Sequence, residues 1–230
     1  MLVAGFPAAM FATNCYVVAT GPGQECLVVD PGIGVEDELD ELLREHRLQP
    51  VAVLLTHGHL DHTFSVTPVC GARGIPAYVH SADRYRLEDP MSTLGPQLSE
   101  MFAGRLTWTE PDDVRVMTDG AVLELAGLEL VVDHAPGHTE GSVLFRTAAE
   151  ADLPPLCISG DVLFAGSIGR TDLSGGDPAA MERSLRDKVL PLADDTIVLP
   201  GHGPQTTIGI ERVSNPYLRD AARSAPTRGV

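Results

Sequence analysis

The sequence predicts an α/β protein built as one domain over residues 1–230. Three observations carry that reading. Apolar runs of strand length recur along the chain, and several stop abruptly at loops of histidine, aspartate and glycine. Between them lie stretches whose apolar residues repeat at helical spacing. A chain of 230 residues with 43% hydrophobic content is also long enough to bury one large core.

Residues 2–30 read as strands broken at Gly21-Pro22-Gly23, the last of them, Cys26-Leu27-Val28-Val29, closing on Asp30-Pro31-Gly32. Val35, Leu39, Leu42 and Leu43 then mark a helix that ends near His46. The run Val51-Ala52-Val53-Leu54-Leu55 is a buried strand that hands over to Thr56-His57-Gly58-His59-Leu60-Asp61-His62. A short helix is expected over 62–72, and Ala77-Tyr78-Val79 form a further strand followed by His80, read as structural. Residues 84–105 mix charges with Pro90 and Pro96 and read as an insertion, either lidding a pocket or lying on the surface. Strands 121–125 and 128–132, joined by Ala126-Gly127, make a meander. Asp177 and Pro178 open a helix as N-cap and first residue, with Met181, Leu185, Val189 and Leu190 as its buried stripe. Residues 217–230 read as a tail.

Chemistry concentrates where strands end. From His57 to His62, three imidazoles and one carboxylate fall within six residues. These are the donors that borderline divalent ions prefer, and the carboxyl end of a buried strand is where an α/β sheet offers a site. Gly58 and the turn into a helix let His62 face a different ion from His57 and His59. The pattern then recurs: His138 follows Pro136-Gly137, Asp161 follows the strand Leu156-Cys157-Ile158-Ser159, and His202 sits in Pro200-Gly201-His202-Gly203. A carboxylate such as Asp161 suits a bridging place, because each of its oxygens can bind one ion. Seven ligands from four strand ends suit two ions with room left for water; His46, His80 and His134 stand outside that set. Asp30 and Thr56 are candidates to hold a ligand histidine or its loop in place. Arg170, in a glycine-rich loop, is a candidate contact for a substrate carboxylate.

Composition excludes other classes. A net charge of −16 and a pI near 4.7 argue against a nucleic-acid partner, since phosphate binding needs a basic stripe and the 16 basic residues do not cluster. No apolar run approaches a membrane span, and the apolar opening lacks the basic residues of an export signal, so a cytoplasmic protein is expected. Cys15, Cys26, Cys70 and Cys157 form no Cys-x-x-Cys pair and are expected as buried free thiols. Oligomeric state is not legible.

In these residues the chain resembles the metallo-β-lactamase superfamily, whose pattern is a His-x-His-x-Asp-His loop followed by a histidine, an aspartate and a histidine at later strand ends. Gly160-Asp161-Val162-Leu163-Phe164, Gly169-Arg170-Thr171-Asp172 and Pro200-Gly201-His202-Gly203 look most like its glyoxalase II (hydroxyacylglutathione hydrolase) branch. The resemblance implies a four-layer αββα sandwich. It also implies that His57, His59 and His138 hold one metal, that Asp61, His62 and His202 hold a second, and that Asp161 touches both. The branch's further helical domain is not expected here, with only a short tail after Asn215-Pro216.

Two cations sharing a water lower its pKa from about 15.7 toward roughly 7, so hydroxide is available at neutral pH. The expected function is therefore hydrolysis of a small-molecule thioester such as S-D-lactoylglutathione. One metal would stabilise the oxyanion and Asp61 would orient the nucleophile. Zinc is the expected metal, with iron or manganese accepted by the same ligands. The competing readings are a mononuclear iron persulfide dioxygenase, a β-lactamase and a non-catalytic metal-binding module.

Overall fold

The computed structural model describes residues 1–90, 100, 108–148 and 154–224. Its strands form two six-stranded sheets. The first follows chain order: β1 (Leu2–Pro7), β2 (Asn14–Ala19), β3 (Glu25–Val29), β4 (Gln49–Leu54), β5 (Ala77–His80) and β6 (Val114–Met117). Its first three strands are antiparallel, and from β3 onward neighbours run parallel. The second comprises β7 (Val122–Leu125), β8 (Leu128–His134), β9 (Val143–Arg146), β10 (Leu156–Gly160), β11 (Ile197–Pro200) and β12 (Thr206–Thr207). Only β10 and β11 pair parallel there.

Strand periodicity explains why the sheets stack. Successive side chains point to opposite faces, so a strand apolar at every position is buried on both sides. In the first sheet Cys15, Val17, Cys26, Val28, Val53 and Leu55 pack outward beneath helices, whereas Tyr16, Val18, Leu27, Val29, Ala52 and Leu54 point toward the second sheet. They meet Leu128, Leu130, Val132, Val143, Phe145, Leu156, Ile158 and Leu199 from the other side. The second sheet's outer residues, Leu144, Cys157 and Val198, pack against the helices beyond it. Each buried leucine or valine adds roughly 1.5–3 kcal/mol, which makes this double-sided burial the main stabilising element.

The outer layers complete the sandwich. Helix α1 (Glu36–His46) buries Leu39 and Leu43 on the first sheet. The helix expected over 62–72 is two short pieces, α2 (Leu60–Thr63) and α3 (Val66–Gly71). A 3-10 helix, Ser81–Leu87, follows β5. Over the second sheet lies α4 (Pro178–Ser184), capped by the Asp177 carboxylate at 2.8 and 3.0 Å from two backbone N–H groups. It runs on into a π turn, Leu185–Val189, and is followed by α5 (Ile208–Ser214) and α6 (Pro216–Arg223). This is the expected αββα sandwich.

Residues 216–223, mostly within the stretch read as a tail, are the helix α6, whose Leu218 and Ala221 are buried in the outer core. Of the 84–105 insertion, residues 91–99 and 101–105 lie outside the described residues, while Arg84–Leu87 belongs to the 3-10 helix and Arg86 is fully buried. All four cysteines are free and buried. No helix of the described residues is long and apolar enough to cross a membrane.

Candidate metal centre

The candidate ligands sit in the loops that follow β4, β8, β10 and β11, and β3 ends at Asp30 beside them. β4 stops at Leu54, and residues 55–59 carry His57 and His59 over the edge. Helix α2 begins directly after His59 and swings His62 beneath it, so the chain does turn between the first two histidines and the third. Asp161 follows β10 and His202 follows β11. Gly201 is required by close approach, because a Cβ there would collide with a carboxylate oxygen of Asp161 and lie 2.7 Å from the His62 ring.

Two clusters of ligand atoms result. In the first, His57 Nε2 lies 3.2 Å from His59 Nδ1 and 3.2 Å from His138 Nε2, and the last two are 2.8 Å apart. In the second, His62 Nε2 and His202 Nε2 are 3.3 Å apart, with Asp61 Oδ2 at 3.6 and 3.3 Å from them. Asp161 stands between: Oδ1 is 3.4 Å from His62 Nε2, and Oδ2 is 3.4 Å from His138 Nε2 and 3.6 Å from His202 Nε2. His57, His62 and Asp161 also converge, joining the clusters into one centre.

The hydrogen bonds behind these rings decide whether a cation fits. Thr56 Oγ1 donates to Asp30 Oδ2 at 2.6 Å, so His57 Nδ1–H donates to the Thr56 oxygen at 3.1 Å. His62 Nδ1 donates to Asp30 Oδ2 at 2.9 Å, His138 Nδ1 to the Arg170 carbonyl at 2.8 Å and His202 Nδ1 to the Phe11 carbonyl at 3.1 Å. With the far nitrogen of each ring carrying the proton, the near nitrogens of these four histidines present lone pairs. Lone pairs 3.2–3.3 Å apart repel unless a cation lies between them. Tetrahedral zinc with nitrogens at about 2.0–2.1 Å holds them roughly 3.3 Å from one another, close to the observed spacing. The buried Asp161 Oδ1 also has no hydrogen-bond partner. The residues therefore fit a pair of metal ions.

Electrostatics separate the two clusters. Burial, followed by repulsion from His62, His138 and His59, holds His57 well below its ordinary pKa, and burial with His138 takes His59 down to about 3. Both stay neutral and ready to coordinate. For His62 burial opposes charge, but the carboxylates of Asp161, Asp61 and Asp30 outweigh it and raise the group well above its usual value. Burial likewise works against ionised Asp61 and Asp161, yet the surrounding imidazoles hold both below the usual carboxylate range. The carboxylate side of the centre thus calls for positive charge.

Asp30 sits where β3 ends, in a left-handed turn (φ 49°) that aspartate tolerates. Its Oδ1 accepts the Thr56 N–H at 2.8 Å, so one buried carboxylate braces the Thr56 loop and His62 together. Arg170 lines the cavity beside the metal centre, but its side chain is paired with Asp172. His80 and His134 stack on each other, ring centroids 4.0 Å apart, and do not join the centre.

Three residues escaped sequence reasoning. The fully buried Asp83 carboxylate accepts the N–H groups of Gly58 and Gly141 at 2.8 Å each, the Thr139 hydroxyl at 2.7 Å and Arg86 Nε at 3.2 Å. It ties the His57–His59 loop to the loop carrying His138. Arg86 extends the tie to Glu140 at 2.6 Å, and Gly58 is needed because a Cβ would meet the Arg86 chain at 2.8 Å. Thr13 donates to Asp61 Oδ2 at 3.0 Å. Apart from the Asp83–Arg86 pair, the partners named here lie 25 to 58 positions away, so no local pattern marks them.

The chain is similar to several known proteins. Residues 9–202 match the model of the metallo-beta-lactamase superfamily. An uncharacterised protein of Mycobacterium tuberculosis is 47% identical over 97% of this chain and 100% of its own length. The hydroxyacylglutathione hydrolase GloC of Haemophilus influenzae is 33% identical over 92% of this chain and 95% of its own. Among solved structures, the B3 metallo-beta-lactamase BLEG-1 superposes with a TM-score of 0.81 at 40% identity, covering 94% of this chain and 99% of that one. TTHA1623, solved in a di-iron-bound form, gives 0.75 at 36% identity, covering 93% and 99%. Matched over most of its length and carrying a buried His/Asp cluster fit for metal, the chain belongs to the metallo-beta-lactamase superfamily.

Proposed function

We propose that the chain is a binuclear metal-dependent hydrolase of acyl-thiol thioesters, with His57, His59 and His138 holding one ion, Asp61, His62 and His202 the other, and Asp161 both. The observation that carries this reading is the second cluster, complete with its own braces, beside the first. A mononuclear dioxygenase would leave Asp61, His62 and His202 without a duty. The thioester assignment is supported by the likeness to GloC.

When bound, the ions supply a water that ionises near neutrality and a Lewis acid for the carbonyl oxygen. The protein's own groups do the rest. Asp61, fixed by Thr13 and with its side chain 24% exposed, faces the cavity and orients the attacking water. His57 and His59 are kept neutral by burial, and Asp30 keeps the His62 lone pair aimed inward. The thiolate leaving group needs little protonation, which suits a centre with no general acid among the described residues lining the cavity beyond the candidate ligands themselves.

Metal analysis together with a panel of acyl thioesters, S-D-lactoylglutathione included, tests the proposal. About two ions per chain and turnover that chelation abolishes are expected; less than one ion with no thioester cleaved would reject it. A second reading, β-lactam hydrolysis, is favoured by the 40% identity to BLEG-1. Nitrocefin cleavage faster than any thioester would put it first.

A further inference from the structure

The cavity before the centre, of about 480 Å³, has two kinds of wall. One is the candidate ligands. The other is apolar: Phe11, Phe164, Ile168 and Leu173. Phe11 is placed there by unusual backbone, since Phe11 (φ 61°) and Ala12 (φ 54°) are successive left-handed residues without glycine. Such residues persist only where their surroundings hold them. Here the Ala8 N–H closes the loop on the Thr13 carbonyl at 2.7 Å, and His202 holds the Phe11 carbonyl. Phe164 meets the His202 ring edge-on, centroids 6.0 Å apart, so the Phe164 ring and the Phe11 backbone both touch a candidate ligand.

Charge is handled differently. Among the described residues lining the cavity, Arg170 is the one permanent cation, and Asp172 takes both its Nε and Nη2 at 2.7 Å. A substrate carboxylate would have to compete with Asp172 or lose water against phenyl and alkyl groups, and an unpaired carboxylate is poorly accommodated there.

Resting on the hydrolase reading, we infer that the cavity selects thioesters whose groups beside the reacting bond are uncharged and apolar. Phe11 and Phe164 grip that part of the substrate, and Asp172, by cancelling Arg170, disfavours carriers that bear carboxylates, glutathione among them. Uncleavable thioethers test this apart from turnover. S-hexyl-N-acetylcysteamine and S-hexylglutathione share an alkyl group and differ in carrier, and their binding to zinc-loaded protein is read by calorimetry. The neutral ligand should bind at least about tenfold tighter, and Phe11→Ala and Phe164→Ala should each weaken it about tenfold, as loss of apolar burial requires. Asp172→Asn should tighten S-hexylglutathione about fivefold, the scale of an exposed ion pair, and leave the neutral ligand unchanged. Equal or tighter binding of S-hexylglutathione by the unaltered protein, or no measurable binding of either ligand, overturns the inference. The hydrolase reading fails on a different result, the absence of any thioester turnover.

Discussion

The two halves of the metal centre use the same chemistry in different surroundings. His57, His59 and His138 are all buried, and their loops are stitched together from behind by Asp83. In the other half His62 is buried, while the side chains of Asp61 and His202 remain 24% and 28% exposed to the cavity. That half is braced from the opposite edge of the sandwich, by Thr13 and the Phe11 carbonyl in the loop between β1 and β2. The contrast teaches a difference in access: His59 and His138 line the cavity as a buried floor, whereas Asp61 and His202 stand partly open to it.

The strongest challenge to this contrast is removal of the group both halves share. Asp161→Asn should lower metal content and thioester turnover together, the rate by more than about 100-fold, beyond the usual effect of a residue that merely supports a ligand. Unchanged turnover would show that the halves do not depend on a common carboxylate. Next comes Asp83→Ala, which removes the tie behind the enclosed half and strips Arg86 of one carboxylate. A stability loss of about 3 kcal/mol in urea titrations is expected. Titration of apo-protein with cobalt(II) should show the three-histidine site weakened about 10- to 100-fold, with the other site nearly unaffected. Equal weakening of both sites would mean that Asp83 supports the fold and not one site. The smallest effect belongs to Thr13→Val, which deletes the hydroxyl on Asp61 in the open half. Affinity for the second ion should fall about tenfold, while the midpoint of thermal unfolding of the metal-free protein stays nearly constant.

How much of this was legible follows from where each interaction closes. His57, His59, Asp61 and His62 announce themselves because they are near neighbours in the chain, and His138, Asp161 and His202 because each follows a recognisable strand. Asp30 was visible for the same reason. Asp83, by contrast, resembles any surface carboxylate until the 3-10 helix after β5 turns it under two loops. Arg86 was read as part of an insertion, yet it is completely buried, its charge met by Asp83 and Glu140. The C-terminal segment reads as a short tail after Asn215-Pro216, whereas the structure makes it α6, with Leu218 and Ala221 buried in the outer core.

The linear chain by itself determined the strand and helix periodicities, the acidic balance and the ligand types, because these depend on residue identity and on spacing of a few positions. Only the folded molecule decided which nitrogens face one another, which carboxylate stands between the clusters and which aromatic rings wall the cavity. Those relations join atoms as many as 191 positions apart, and the stacking of two sheets is what brings them within hydrogen-bonding distance.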